Sequence, residues 1–183
     1  MKKLITILFL VLFGLSSTTY AESSLPKCQG DDYKQWTNCY AEIIFPRNEY
    51  KGEWKDGKFE GKGTLTEAWG GVYTGDFKNN LAHGFGRQEE KDGSWWEGEF
   101  KNDLLHGKGI FVNYDGATFE GNFFEGFLHG QGIYTKLDGT KATGNFVKDY
   151  LNGQGKWEYA NGIGSFATWK WKWIHWQKAI SCR

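Results

Sequence analysis

Two columns of side chains in this sequence have the chemistry of a reactive site. His83, His106 and His129 recur every 23 residues, and imidazole is the commonest protein ligand for transition metals. Glu53, Asp76 and Glu99 recur at the same interval, and paired carboxylates can divide acid and base roles. Spacing argues against both uses. If each period supplies two neighbouring strands to one sheet, equivalent residues sit about 10 Å apart. Zinc holds nitrogen ligands at about 2.0–2.1 Å, so these histidines cannot share an ion. The carboxylate spacing lies near the upper edge of the roughly 6.5–9.5 Å used by inverting glycosidases. An open strand face, however, offers no enclosure to raise the pKa of one acid. There is no Gly-x-Ser-x-Gly elbow and no phosphate-cradling loop, and a Cys–His pair would have to use Cys182 near the end of the chain. The expectation is no enzyme, no metal and no cofactor.

Two other groups of residues remain as candidates. Cys28 and Cys39 are close enough in sequence to close a small disulfide loop in an oxidising compartment, which leaves Cys182 over. Near the end runs Trp169-Lys170-Trp171-Lys172-Trp173-Ile174-His175-Trp176. As a strand it puts Trp169, Trp171 and Trp173 on one face and Lys170 and Lys172 on the other. It reads as a closing strand over the last rung of a stack. Trp beside Lys also suits a lipid headgroup layer, and tryptophans can stack on sugar rings. Trp169, Lys170, Trp171, Lys172, Trp173 and Trp176 therefore form the candidate interaction surface.

The elements that position these residues follow from the glycines. The chain holds 26 glycines in 183 residues, and aromatics make up 18%. Gly52, Gly75, Gly98, Gly121 and Gly144 are spaced by 23; so are Gly61, Gly84, Gly107, Gly130 and Gly153, and Gly63, Gly86, Gly109, Gly132 and Gly155. Tyr50, Tyr73, Trp96 and Phe119 keep that register, as do Trp54, Phe77, Phe100, Phe123 and Phe146. Each copy has two segments of period two. Tyr50, Gly52 and Trp54 share one face, and after Asp56-Gly57 the second segment puts Gly61, Gly63 and Leu65 on one face. Asp92-Gly93, Asp115-Gly116, Asp138-Gly139 and Asn161-Gly162 supply turns to the next copy, because Asx-Gly tolerates positive φ. One copy is one hairpin. Glycine weakens a strand unless another group must approach its backbone, and here that group is a ring on the same face.

Tyr50-x-Gly52-Glu53-Trp54-Lys55-Asp56-Gly57-Lys58-x-x-Gly61-x-Gly63 resembles the MORN repeat, and so does Trp96-Glu97-Gly98-Glu99-Phe100 with His106-Gly107-Lys108-Gly109. The resemblance implies an all-β, elongated single-sheet solenoid of stacked hairpins: five 23-residue repeats with partial capping repeats. It also implies membrane, lipid-headgroup or protein contacts or dimerisation, and gives the histidines a turn role. The fifth copy departs from the pattern, with Ala142 in the first aromatic slot.

The ends complete the layout. Lys2-Lys3, the apolar run Leu4 to Leu15 and the small residues to Ala21 read as a signal peptide over 1–21. The run falls short of the roughly 20 residues that cross a bilayer. Lys27 before Cys28 argues against a lipid anchor. Residues 22–49 form an N-terminal cap with a strand over Tyr40 to Phe45, residues 50–164 the repeats, and 165–183 a partial repeat and Trp-rich cap. Of 22 basic residues, Lys2 and Lys3 leave with the signal peptide, against 22 acidic ones retained, so the exported chain carries −2. Nothing suggests a nucleic-acid partner. The expected function is an exported, periplasmic or secreted scaffold for protein–protein contact or self-association. Peripheral binding to a membrane surface through the Trp/Lys segment is the alternative, and envelope glycan binding the third.

Overall fold

The structure, a computed structural model, describes residues 23–173, with side chains through Gly164; the expected signal peptide, Trp176 and Cys182 lie outside the described residues. A single 3-10 turn, Tyr33–Gln35, precedes twelve strands. These are β1 (Cys39–Ile44), β2 (Asn48–Lys55), β3 (Lys58–Glu67), β4 (Val72–Lys78), β5 (Leu81–Glu89) and β6 (Trp95–Lys101). They continue as β7 (Leu104–Val112), β8 (Thr118–Phe124), β9 (Phe127–Thr135), β10 (Lys141–Val147), β11 (Tyr150–Glu158) and β12 (Gly164–Trp173). All lie in one antiparallel sheet whose spatial order is the chain order. This is the hairpin stack that the 23-residue period predicts.

Turn chemistry sets the hairpins. Within a copy, two consecutive residues have positive φ: Asp56 (51°) with Gly57 (71°), Asn79 (51°) with Asn80 (70°), and Asn102 (51°) with Asp103 (68°). Such a pair makes the type I′ turn, whose twist matches its flanking strands. The second turn residue also clasps the previous copy. Asn80 accepts from the Phe59 N–H at 2.8 Å and donates its own N–H to the Phe59 carbonyl at 3.0 Å. Asp103 does the same with Ala82, and Asp149 with Leu128.

Burial pushes the Asp103 and Asp149 carboxyls above the usual range, partly offset by those donors. A carboxyl raised in this way favours folding when protonated, and that contribution is lost as pH rises through the raised value. Asp103→Asn keeps an acceptor for Ala82, as Asn80 does for Phe59, and carries no charge. Its thermal midpoint should exceed the parent's at pH 7. The gap should close as pH falls through the raised value toward the ordinary aspartate value of about 4.

The core is one face of the sheet. Gly52, Gly63, Gly75, Gly86, Gly98, Gly109, Gly121, Gly132, Gly144 and Gly155 oppose one another on successive strands, forming an unbroken row across β2–β11. Ala41 and Ala167 continue the row at its two ends. Rings lie across it. A Cβ on Gly63 would sit 2.7 Å from ring carbons of Tyr50. The Tyr50 hydroxyl, passing over the row, donates to the Glu53 carbonyl at 3.0 Å, and burial pushes this phenol far above its usual pKa. Edge-on contacts link copies: Tyr50 with Phe77 (5.1 Å), Tyr73 with Phe100 (5.1 Å) and Phe119 with Phe146 (4.9 Å). Each fully buried ring contributes about 1.5–3 kcal/mol, so the row replaces the second layer of an ordinary domain.

The structure corrects one placement. Gly61 does not share the ring face with Gly63. The register shifts after Gly52 opposite Gly63, so that Glu53 next opposes Glu60 and two residues, Gly61 and Lys62, bulge out. Gly61, at φ +60°, turns its α-carbon toward the Glu53 carboxylate on the opposite face, and Gly84 (+66°) and Gly107 (+93°) do the same toward Asp76 and Glu99. The fifth copy also finds its own packing. Ala142 is fully buried, and Leu151 reaches over Gly144 where a ring would lie.

Candidate interaction surface

The face opposite the rings carries the side chains free to meet a partner. Its residues form cross-strand rows. In the N-terminal half these rows are satisfied internally: Lys51 with Glu42 (3.8 Å), Lys62 with Asp76 (2.6 Å), and Arg87 with Glu89 (2.6 Å) and Glu97 (3.3 Å). The Arg87 guanidinium also lies 3.9 Å over the Trp95 ring. Exposed pairs of this kind contribute little.

From β5 onward the same rows turn apolar. Ile110 and Ile133 occupy the column of Thr64 and Arg87, and Phe85 that of Lys62 and Lys108. They are 36%, 41% and 47% exposed. Between these side chains the backbone of Gly98, Gly109, Gly121 and Gly132, whose missing side chains would have faced the rings, floors a groove of about 490 Å³. Lys108, Glu120, Asn122 and Gln131 give it polar edges. Closer to the turns, Phe124 is exposed, with His106 at 5.1 Å and His129 at 5.7 Å from its ring. This groove was not apparent from the sequence. Its signal was present as apolar residues in columns that other copies fill with Lys, Thr and Arg.

The columns with reactive side chains have structural roles. Asp76 accepts from the Phe85 N–H at 3.1 Å, and the Glu53 and Glu99 carboxylates lie over Gly61 and Gly107. In the next copy Asn122 instead donates to the Gln131 carbonyl at 2.9 Å. The acids therefore cap the bulges. His106 and His129 pack on Phe124, and the buried Nδ1 of His83 has no hydrogen-bond partner among the described residues.

At the head of the sheet, the sulfurs of Cys28 and Cys39 stand at disulfide distance, 2.13 Å, with Cα atoms 4.9 Å apart. The loop they close folds over the end of the ring face. Trp36 meets Trp54 edge-on at 5.1 Å and donates to the Gln29 and Gly30 carbonyls at 3.1 Å, while the Gly57 N–H donates to the Trp36 carbonyl at 2.8 Å. Tyr33 closes over Phe45 at 5.6 Å. At the other end, Trp169, Lys170, Trp171, Lys172 and Trp173 lie on β12, the last strand of the sheet, with Trp169 opposite Gly153 and Trp173 opposite Tyr150.

A family model described as the MORN repeat matches residues 50–72, 73–95, 96–118, 119–141 and 143–163. The last match begins one residue beyond Ala142. No curated protein matches the chain.

Proposed function

For a chain that belongs to the MORN-repeat family, whose repeats are non-catalytic scaffolds that engage proteins or membranes, we propose an exported scaffold that binds another protein or a second copy of itself. The observation that carries this reading is the groove of Phe85, Ile110 and Ile133 on an otherwise charged face. Exposed apolar residues gathered beside bare backbone mark a contact surface, where scattered ones would not. Export is supported by the apolar Leu4 to Leu15 run and by a cysteine pair at disulfide distance. An envelope-fraction pull-down with mass spectrometry tests the reading. Ile110→Lys with Ile133→Lys should weaken retention of the protein partner at least tenfold, the effect of losing about 1.4 kcal/mol. Equal retention by parent and variant would overturn the groove as the contact surface.

A second reading is favoured by the composition of the last strand and of the sequence that follows it. Trp169, Lys170, Trp171, Lys172, Trp173 and Trp176 would place aromatic and cationic groups at a lipid headgroup layer. Flotation with anionic vesicles separates the two. Changing the four tryptophans to serine abolishes flotation if that surface is used, and leaves it intact if the strand only closes the stack.

A further inference from the structure

The two ends of the sheet are different kinds of strand. At the head, β1 meets β2 with Ala41 opposite Gly52 and Ile43 opposite Tyr50. In the same way β3 meets β4, with Gly63 opposite Gly75 and Leu65 opposite Tyr73. β1 therefore stands in the place of a copy's second strand. At the tail, β12 meets β11 with Ala167 opposite Gly155, as β10 meets β9 with Gly144 opposite Gly132. β12 stands in the place of a first strand. In every copy a first strand is followed by a second one. The tail edge of one molecule and the head edge of another are thus the two halves of a hairpin pairing.

The head edge is partly occupied. The Phe45 N–H bonds inward to Asn48 at 2.7 Å, whereas Tyr40 bonds outward, its N–H to the Pro26 carbonyl at 2.8 Å and its carbonyl to the Cys28 N–H at 2.9 Å. Backbone groups alternate along an antiparallel strand, so Tyr40, Glu42 and Ile44 face away from β2. Tyr40 is taken by the short parallel bridge at Lys27, tied down by the Cys28–Cys39 bond. Glu42 and Ile44 have no backbone partner on that side among the described residues. Such an edge is a template for another strand.

We propose that β12 of a second copy docks antiparallel on β1, and that Pro26 to Cys28 is a plug which competes for this edge. The register that continues the internal pairing puts Ala167 opposite Ala41 of the next molecule, extending the glycine row with small side chains. A two-fold pairing of β1 with β1 centred on Glu42 instead brings Glu42 against Glu42, and like charges on facing strands repel. The head-to-tail contact is heterologous and therefore open-ended. It deepens the self-association half of the function proposed above. The outer-face groove takes no part in it.

Light scattering across a concentration series tests this. Cys28→Ser with Cys39→Ser releases the plug, and its average mass should at least double over the series where the intact protein rises less. Adding Glu42→Pro removes the outward N–H without touching the β1–β2 ladder, and should return the variant to the monomer mass. In the assembled variant the Glu42 amide should become protected from hydrogen exchange. A mass that stays monomeric, assembly that survives Glu42→Pro, or a Glu42 amide that stays unprotected overturns the proposal. If the cysteine variant loses its sheet by circular dichroism, the decision passes to the intact protein. There the mass at the highest concentration must exceed that of Glu42→Pro, and equal masses overturn the proposal. A monomeric result leaves groove binding standing, since Ile110→Lys with Ile133→Lys tests that separately.

Discussion

Phe119→Ala should destabilise the protein by about 3–5 kcal/mol, measured by urea unfolding. Phe119 is fully buried in the middle of the stack. It lies across Gly121 and Gly132 and meets Phe123 and Phe146 edge-on at 5.3 and 4.9 Å. Its loss removes the cover from two strands at once, and a single sheet has no facing layer that can move in. The converse change tests the same contact from below. Gly132→Ala puts a methyl against the Phe119 ring, whose Cε2 would be 2.6 Å away, and should cost about 1–3 kcal/mol. In Phe119→Leu with Gly132→Ala the smaller side chain makes room for the methyl. The combined cost should fall below the sum of Phe119→Leu and Gly132→Ala measured singly by about 1 kcal/mol, and strict additivity would show that the ring does not lie over Gly132. The fifth copy already combines a missing ring at Ala142 with Leu151 over Gly144.

Cys28→Ser with Cys39→Ser should cost about 3 kcal/mol, the chain entropy of a loop spanning 11 residues. The loss should be local. The bond holds the loop that places Trp36 on Trp54 and Tyr33 on Phe45. Amide exchange at Trp36 and Tyr40 should therefore speed up, while amides of β6–β9, several strands away, keep their protection at low denaturant. Uniform loss across the sheet would mean that the cap and the stack unfold as one unit.

The hairpins were legible because their causes are local. Asx-Gly pairs supply positive φ, and the Tyr50 and Gly52 columns announce rings on backbone, so strand order and turns follow from the 23-residue period. The bulge was not legible. Gly61 and Gly63 sit two apart, and period two assigns them to one face; only the positive φ of Gly61 reveals that the chain turns between them. The same bulge explains the acidic column, because the Phe85 N–H that Asp76 caps exists only once the register has shifted. The cysteine pair was readable from its separation of 11 residues, and the Trp169–Trp173 strand from its alternation. The groove was hidden for another reason. It is defined across strands, by Phe85, Ile110 and Ile133 from three hairpins, and no window along the chain brings them together.

Strand order that follows chain order has a mechanical consequence. Each strand bonds only to its neighbours in sequence, so tension between the two ends acts across the strands, along the direction of their hydrogen bonds. In that geometry a hairpin opens a few bonds at a time, and no pair of strands has to slip in parallel under load. The molecule should therefore extend in short steps at low force from either end, and should close again without any distant segment having to return first. Where the head plug and its disulfide are intact, the first step should begin from the tail.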